Sequence, residues 1–476
     1  MSAASPREIR AVFIGLMIVL GLGALDQSIV STALPRIVSD LGGMARLTWV
    51  VTAYVLASTS VMPLYGKLSD QYGRKPMIYA AVVTFLLGSV LCGAAQNLTQ
   101  LIIFRAVQGL GAGGLLPLSQ IIIGDLVPPS ARGRKQGLIA AVFAVCSVVG
   151  PVLGGVITDL LSWHWIFYVN LPIGAAALAV IAGALRRPHL AQAHRIDYLG
   201  AVLLTSCTTA FLMILTLGGT EWPWRSIEVA SLTTVTAALA MAFVAHVRRV
   251  QEPLLPLELF RNRLFVVACA VLGFTFMGLL GASVFFPLFF QIVMGVSPAY
   301  SGLLTAPLMI GVVISSLVNG RILMRSGRYK PAQLTGLSLA VAAFATLTWG
   351  AATAQPFRVI EPSLFALGLG LGLVMPTMTI AVQNALPAAH RGVGTATLAF
   401  FRSLGGLVGV TASGAILAYQ MQAAAGAAPS VAAYRNAIAL TFMSGVCVVG
   451  MALVTLLFLP ELPLRRENDG STRTAN

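Results

Sequence analysis

The run AVFIGLMIVLGLGALDQSIVSTAL, residues 11–34, contains 24 residues and a single charged side chain, that of Asp26. A helix needs about 20 apolar residues to cross a membrane, so this run is long enough to span one. It is preceded by Arg7 and Arg10 and is too long for the core of a signal peptide, which favours an uncleaved first span. A lone carboxylate in such a segment costs about 2.5–3.5 kcal/mol on insertion scales. We therefore treat Asp26 as the first candidate functional residue.

The composition of the whole chain agrees with a membrane protein. Hydrophobic residues make up 57% of the 476 residues and charged residues only 9%, whereas about 25% are charged in soluble domains. The net charge of +15 comes from Lys and Arg residues in short loops between apolar runs, so we expect lipid and not nucleic acid as the macromolecular surroundings. The five cysteines lie within apolar runs without metal-ligand spacing, and no metal or cofactor is expected.

Fourteen apolar runs are long enough to be membrane-spanning helices, which predicts an all-α polytopic membrane protein. They lie at 11–34, 47–66, 76–95, 99–123, 136–158, 164–185, 198–218, 227–247, 264–291, 299–324, 331–351, 359–383, 392–418 and 436–459.

The distribution of Lys and Arg supports this topology. If the N-terminus is cytoplasmic and the loops alternate, 23 of the 30 basic residues lie on the cytoplasmic side and five outside. The other two, Arg105 and Arg402, fall inside spans. Basic residues concentrate in cytoplasmic loops of membrane proteins, so we expect both termini in the cytoplasm and a multi-pass protein of the cell (plasma or inner) membrane.

An internal repeat divides the chain. An offset of 259 residues relates the fourth and fifth apolar runs to the twelfth and thirteenth, pairing Gly109 with Gly368, Gly113 with Gly372 and Gly150 with Gly409. We predict an N-terminal six-helix bundle in residues 1–185, two accessory helices with linkers in 186–263, and a C-terminal six-helix bundle with a short tail in 264–476. Parallel repeats of this kind are typical of alternating-access transporters with a substrate site between the repeats.

Several motifs resemble one transporter family. GKLSDQYGRK (66–75) resembles the cytoplasmic signature of the major facilitator superfamily, and LIIFRAVQGLGAGG (101–114) its intramembrane arginine motif. VVGPVLGG (148–155) is similar to the antiporter motif. LDQSIVSTALP (25–35) and WHWIFYVNLPIG (163–174) resemble signatures of the fourteen-span drug:proton antiporter branch, the EmrB/QacA type.

This resemblance implies roles for two groups of residues. A conformational latch on the cytoplasmic side is expected from Gly66, Asp70, Gly73, Arg74, Lys75 and Arg132. The carboxylate of Asp70 could accept hydrogen bonds from a helix N-terminus or from Arg74 or Arg132. The antiporter motif consists of Gly150, Pro151, Gly154 and Gly155. Its glycines allow close helix packing and its proline kinks the helix, and the resemblance implies that it packs against the opposite bundle and favours exchange over uniport.

Asp26 and Arg105 are expected to lie at the same depth. With a rise of about 1.5 Å per residue, Asp26 lies about 22 Å from the cytoplasmic start of its helix, roughly 8 Å from the outer edge of the membrane core. Arg105 lies about 9 Å below that edge by the same arithmetic. The pair could be purely structural, or a proton could compete with Arg105 and substrate for the carboxylate. Burial favours the neutral form of Asp26 and the arginine favours the charged form, so its resting state stays open.

Three further polar residues are candidates for the substrate cavity: Gln108, Asn170 and Arg402. Arg402 could meet an anionic or carbonyl-bearing substrate, or bond to backbone carbonyls between helices. His164 stands between two tryptophans where the family usually has arginine, and whether it contacts substrate is open.

The function expected from these features is proton-coupled export of small lipophilic compounds by a drug:proton antiporter that works as a monomer, without enzymatic activity. The loops are too short to hold a nucleotide-binding domain, so either an ion gradient supplies the energy or the transport is passive. The alternative is a dedicated exporter of one metabolite, antibiotic or siderophore. A non-transporting membrane receptor or scaffold is a further alternative, which would not need Asp26 to titrate.

Overall fold

The computed structural model describes residues 6–41, 48–127, 129–184, 197–219, 221–250, 253–283, 285–387, 390–423 and 431–461. Within these ranges the regular structure is helical, apart from an isolated bridge between Gly218 and Trp222. The helices are α1 (Pro6–Leu41), α2 (Thr48–Tyr72), α3 (Arg74–Gly93), α4 (Leu98–Leu126), α5 (Pro129–Leu160), α6 (Trp165–Tyr168), α7 (Asn170–Ala184), α8 (Tyr198–Leu217), α9 (Ile227–Val247), α10 (Arg263–Ser283), α11 (Phe285–Leu288), α12 (Pro298–Leu304), α13 (Ala306–Ser326), α14 (Lys330–Ala352), α15 (Phe357–Ala385), α16 (Arg391–Ala423) and α17 (Val431–Leu457). A 3₁₀ helix covers Leu257–Arg261 and a π-helical turn covers Phe289–Val293.

Thirteen helical segments in the described ranges are long and apolar enough to cross a membrane. They coincide with thirteen of the fourteen predicted spans, and the remaining one, at 47–66, corresponds to α2. That helix has 25 residues, but its Ser, Thr and Tyr residues lower its apolar content. Because α2 packs against α4 and α16, several of these polar side chains face protein and not lipid.

Two of the predicted spans, the sixth and the ninth, are not continuous α-helices. The sixth consists of α6 and α7, which meet at Val169, so that Asn170 begins a new helix. Pro172 in the first turn of α7 lacks an amide hydrogen and cannot continue the bonding pattern of α6. In the ninth, α10 and α11 are followed by the π-helical turn at Phe289–Val293.

Helices α1–α7 pack together, as do α10–α17, and we call these two groups the N-terminal and C-terminal bundles. Their glycines show that the repeat is structural. A Cβ atom on Gly109 would lie 2.5 Å from the carbonyl oxygen of Tyr54 in α2, and one on Gly368 would meet the carbonyl oxygen of Leu308 in α13. Backbones this close require glycine on one side, so the small-residue pattern of α4 and α15 fixes equivalent contacts in the two bundles.

The two bundles are joined at one end, which carries Arg74, Arg132, Arg328 and Arg391 and which we call the basic end. There a Cβ atom on Gly133 in α5 would lie 2.6 Å from the Cα of Gly320 in α13. The Gln383 Nε2 atom in α15 donates to the Gln120 carbonyl in α4 over 3.0 Å. By contrast, Val145, Val148 and Val152 in the remainder of α5 are exposed in the structure.

The accessory helices α8 and α9 pack against each other, and α8 contacts both α2 and α16. Asp197 caps α8 through the Gly200 amide and pairs with His246 Nε2 of α9 at 2.6 Å. It also accepts from the Leu254 amide over 3.2 Å. Although burial acts to raise the pKa of the Asp197 carboxyl, the hydrogen bonds from His246 and the two amides prevail and hold that pKa below its usual value. One ionised carboxylate thus ties both accessory helices to the chain leading into α10.

Candidate functional site

Asp26 lies at the centre of a buried polar network inside the N-terminal bundle. Its Oδ2 accepts from Arg105 Nη1 at 2.8 Å. Its Oδ1 accepts from Gln108 Nε2 at 2.8 Å and from Asn170 Nδ2 at 2.9 Å. Both members of the ion pair are about 1% exposed. The expected pairing of Asp26 with Arg105 is therefore present, and α1, α4 and α7 supply its components.

Arg105 has further partners that hold its guanidinium in place. Its Nη1 also donates to Gln108 Oε1 at 2.7 Å, and its Nε to the Val50 carbonyl at 3.3 Å. The guanidinium carbon lies 4.1 Å from the centre of the Tyr54 ring in α2. A cation over an aromatic face is stabilised further when it is removed from water. Arg105 consequently keeps several contacts that do not depend on Asp26.

The two amide side chains of the network also share Ser89 in α3, which contacts Gln108 Nε2 at 2.8 Å and Asn170 Nδ2 at 3.1 Å. Asn170 is fully buried, and its Oδ1 has no hydrogen-bond partner in the described part of the chain. An amide carries two donors on one side and an acceptor on the other, and rotation by half a turn exchanges them. Asn170 can thus present either a donor or an acceptor to Asp26.

A separate cavity of about 240 Å³ lies between the two bundles. Helices α4 and α5 contribute one wall, and α10, α13, α15 and α16 the other. Most lining residues are apolar, and the polar ones among those described are Gln120, Gln136, Ser147, Ser316, Thr379 and Arg402. Gln108 and Asn170, which the sequence places in the substrate cavity, belong instead to the Asp26 network and are absent from this described lining.

Arg402 and His164 differ in their surroundings. Arg402 lines the cavity, where its guanidinium carbon lies 5.0 Å from the ring centre of Phe276. His164 stacks on Trp163 at 3.6 Å between ring centres, and its Nδ1 lies 2.7 Å from Ser162 Oγ. The structure therefore puts Arg402, and not His164, beside the space between the bundles.

Asp70 and Arg74 of the expected latch meet at the basic end. Asp70 pairs with Arg74 Nη1 at 2.6 Å, and its other oxygen accepts from the Val393 amide at 3.0 Å. Val393 lies in the first turn of α16 in the C-terminal bundle, so Asp70 connects the two bundles. The partial positive charge of a helix N-terminus favours a carboxylate in this position. Arg74 Nε also pairs with Asp125 at 2.9 Å, and Arg391 of α16 lies 3.7 Å from the same carboxylate.

Arg132 holds the neighbouring end of α4, where its Nε donates to the Val127 carbonyl at 2.7 Å and its Nη2 to the Gly124 carbonyl. Burial, and after it the charge of Arg391, lowers the pKa of Arg132 to about 10, so it remains charged at neutral pH. Lys75 Nζ donates to the Ala182 carbonyl at 3.1 Å.

The two glycines of the segment are constrained as well. A Cβ on Gly66 would lie 2.5 Å from Ala396 Cβ in the C-terminal bundle. Gly73 has a φ of 94°, which favours glycine. Of the six latch residues, Gly66 and Asp70 contact the C-terminal bundle directly, whereas Lys75 and Arg132 bond to carbonyls of their own bundle.

The antiporter motif packs within its own bundle, contrary to the expectation from the sequence. We expected it to pack against the opposite bundle, but in the described structure Gly150 and Gly154 pack against α1 of their own bundle. A Cβ on Gly150 would meet Ser28 Cβ, and one on Gly154 would meet Thr32 Oγ1 and lie 2.8 Å from the Ile29 carbonyl. Pro151 lies within α5, and a Cβ on Gly155 would have no described atom within 4 Å. Glycine spacing identifies close packing but not the partner helix, which is why the sequence did not distinguish the two bundles.

The neighbouring glycines Gly154 and Gly155 provide a test of this contact. Alanine favours a helix over glycine by about 1 kcal/mol, so both substitutions gain the same local preference. We expect Gly155→Ala to unfold at the wild-type temperature or above it, because its Cβ has free space. Gly154→Ala should instead lose about 1–3 kcal/mol and most transport, because α1 must move away from α5. Thermal unfolding of the purified variants measures the difference, and equal stability of the two would contradict the packing.

Comparison with known proteins agrees with the fold and the motifs. The family model described as "Major Facilitator Superfamily" matches residues 16–410. "Multidrug transporter protein MdtP" of Bacillus subtilis (strain 168) is 38% identical over 404 residues, covering 85% of this chain and 74% of that protein. "Multidrug resistance protein 3" of the same organism is 38% identical over 417 residues, covering 87% and 81%.

Solved structures show the same fold at low identity. The proton:xylose symporter XylE bound to 6-bromo-6-deoxy-D-glucose has a TM-score of 0.69 at 15% identity, with 96% of each chain covered. A bacterial homologue of the iron transporter ferroportin in an outward-facing state gives 0.65 at 14% identity, covering 94% of this chain and 98% of that one. At these identities the likeness concerns the fold alone. From the family model and the close relatives, the chain is a multi-pass membrane transporter and not an enzyme, and it belongs to the major facilitator superfamily.

Proposed function

We propose that this protein is a proton-coupled exporter that exchanges small lipophilic compounds for protons by alternating access, in the manner of a fourteen-span multidrug antiporter. In this proposal the basic end is cytoplasmic and both termini lie inside the cell. Helix α2 also crosses the membrane, which brings the number of spans to fourteen. The N-terminal bundle, the accessory pair and the C-terminal bundle correspond to residues 1–185, 186–263 and 264–476. The multidrug names of the two Bacillus subtilis relatives support the substrate class.

The observation that carries the proposal is the set of three donors around Asp26. Three donors around one carboxylate favour its ionised form, and in this proposal the conformation is that of the deprotonated carrier. A proton on Asp26 weakens its bond to Arg105, which keeps Gln108 and the Val50 carbonyl as partners. The unpaired Oδ1 of Asn170 supplies the acceptor that the protonated carboxyl requires after the amide rotates. The network therefore accommodates both protonation states of Asp26.

The antiporter motif links this proton site to the cavity. Ser28 lies half a turn beyond Asp26 on α1 and packs against Gly150 on α5. Ser147, less than one turn from Gly150 on α5, lines the cavity. Because α1 and α5 are in backbone contact here, a shift of α1 on protonation must move the cavity wall. The glycines thus favour exchange of substrate for protons, because they bring the helix of the proton site into contact with the helix that lines the cavity.

The contacts at the basic end fit a latch that closes the cytoplasmic side while the outer side binds protons. Asp70, Arg74 and Asp125 connect the bundles through the Val393 amide and Arg391. Opening towards the cytoplasm must break these bonds. Charge-assisted hydrogen bonds of this kind contribute about 1.5–3 kcal/mol each, which is enough to set the balance between two conformations.

Asp70→Asn tests the latch. The asparagine side chain binds Arg74 and the Val393 N–H more weakly than the carboxylate does. The ratio of molecules with the bundles separated at the basic end to molecules with them joined should therefore rise about tenfold. Pulsed EPR distances between labels at positions 72 and 321, in a cysteine-depleted background, measure this ratio. Lys67→Gln is the control, because it changes a charge in the same segment without touching the Asp70–Val393 bond. An unchanged distance distribution in Asp70→Asn would rule out the latch role.

The proposed function is tested with purified protein in liposomes whose interior is acidic. Proton exit should drive accumulation of lipophilic dyes against their gradient, using dyes without a group that titrates between pH 6 and 8. Accumulation should exceed that of protein-free liposomes and disappear when nigericin removes the pH gradient. Accumulation that persists with nigericin would reject proton coupling, and no accumulation of any dye would reject export of lipophilic compounds.

A further inference from the structure

The cavity between the bundles has an unbalanced positive charge. Of the described residues that line it, Arg402 alone is charged, and none is acidic. Arg402 forms no ion pair or hydrogen bond with any described residue, and its neighbour is the Phe276 ring. A charged side chain at membrane depth is costly and is ordinarily paired with a partner. Arg402 therefore has an unmet requirement for an anionic or carbonyl-bearing group.

The contrast with Arg105 shows that this requirement belongs to the cavity. Arg105 is paired with Asp26 and is almost completely buried within its own bundle. Asp26 is surrounded by its donors and is not among the lining residues, so its charge is not available to a ligand in the cavity. A cationic ligand would meet Arg402 without a compensating carboxylate, which opposes its binding.

The surroundings of Arg402 also define the shape of the ligand. The ring centre of Phe276 lies 5.0 Å from the guanidinium carbon, and no described residue takes the N–H groups, which form a planar fork of donors. A planar carboxylate accepts two parallel hydrogen bonds from such a fork. The remaining walls are supplied largely by apolar residues such as Phe143, Leu279 and Met375, with the neutral side chains of Gln120 and Gln136. Such walls favour an apolar, aromatic body.

We propose that the cavity selects amphiphilic organic monoanions, an aromatic or aliphatic body with one carboxylate, and that Arg402 is the residue that determines this specificity. The proposal rests on the proposed function only in taking the cavity as the site of transport. It narrows the substrate class from lipophilic compounds in general to those that neutralise one positive charge.

The test uses the full-length protein in nanodiscs and three ligands of nearly equal shape: 2-naphthylacetate, 2-naphthylacetamide and 2-(2-naphthyl)ethylamine. At pH 7.5 these are an anion, a neutral molecule and a cation. Isothermal titration calorimetry of the wild type should give a Kd for the anion at least about tenfold below that of the amide, with the cation weakest. If the cation binds as tightly as the anion, or if none of the three binds, the proposal is wrong.

Variants assign the preference to one side chain. In Arg402→Gln the anion should bind no better than the amide, and Arg402→Lys should keep part of the preference because its charge remains without the planar fork. The control is Arg263→Gln, because Arg263 also lies beside an aromatic ring, 5.9 Å from Phe458, but does not line the cavity. It should bind all three ligands as the wild type does. Wild-type affinity of Arg402→Gln for 2-naphthylacetate would overturn the assignment.

The outcomes separate this proposal from proton-coupled export. Gradient-driven export of a cationic dye that does not depend on Arg402 would refute the substrate class and leave proton coupling intact. Arg402-dependent binding of 2-naphthylacetate without gradient-driven movement of any solute would support the specificity and refute proton-coupled export.

Discussion

Asp26→Asn is expected to abolish gradient-driven accumulation of substrate while leaving exchange of labelled for unlabelled substrate without a gradient. Asparagine has the shape of aspartate, but its amide does not take up or release a proton near neutral pH. Its oxygen can still accept a hydrogen bond from Arg105, so the bundle can complete substrate exchange. Parallel assays in proteoliposomes, uphill accumulation and equilibrium exchange, measure the two properties. Accumulation should fall to the level of protein-free liposomes.

In Asp26→Asn the charge of Arg105 has no compensating carboxylate, and this could by itself reduce transport. A second variant controls for this effect. Asp26→Asn combined with Arg105→Gln removes both charges and keeps hydrogen-bonding side chains at both positions. We expect this double variant to remain folded and still to lack accumulation. If the double variant accumulates substrate as the wild type does, no group in this pair carries the coupled proton.

The second large effect is expected on stability. Arg105→Ala removes the partner of a carboxylate that is about 1% exposed, and breaking a buried ion pair from one side costs about 3–5 kcal/mol. It also leaves Gln108 Oε1 without its donor from Arg105. We expect a large drop in the unfolding temperature in detergent and little folded protein in membranes. Fluorescence-detected size-exclusion after heating measures both.

A double-mutant cycle distinguishes pairing from loss of side-chain volume. Arg105→Gln, Asp26→Asn and the combined variant are compared with the wild type by thermal unfolding. If the ion pair is the cause, the double variant is more stable than Arg105→Gln, because no uncompensated charge remains in the bundle. Additive losses from the two single variants would show that the charges do not interact energetically.

The sequence predicted the ion pair because helix rise alone determines depth, and depth limits which charges can meet. Gln108 follows Arg105 by three residues on one helix and therefore faces the same side. Whether Gln108 faces the cavity or Asp26 depends on the rotation of its helix about the helix axis. The pattern of apolar residues does not determine this rotation, because lipid-facing and protein-facing sides are both apolar. The structure resolves this because Gln108 Nε2 lies 2.8 Å from Asp26.

Asn170 and Ser89 show a different limit. The place of Asn170 depends on the break between α6 and α7, which the run WHWIFYVNLPIG indicates only through Pro172. Ser89 is an isolated hydroxyl in an apolar run, and such residues commonly bond to their own helix. Neither offers a sequence signal that points to Asp26.

The cavity could be foreseen in part. Gln120 lies within the fourth apolar run and Gln136 begins the fifth, and amide side chains in apolar runs indicate a polar contact or a cavity. Arg402 was identified, but its two possible partners stayed open until the structure showed its place beside Phe276. The latch was clearest from sequence, because five of its six residues lie in the single segment 66–75. Its partners in the other bundle, the Val393 amide and Arg391, are known only from the structure.

The most direct measurement is proton release when substrate binds. Purified protein in detergent, in weakly buffered solution with a pH indicator dye, is mixed with a saturating substrate at a series of pH values. The wild type should release protons, up to about one per molecule, while Asp26→Asn binds the same substrate and releases none. Equal proton release from Asp26→Asn and from the wild type would contradict the account, because the coupled proton would then be held elsewhere.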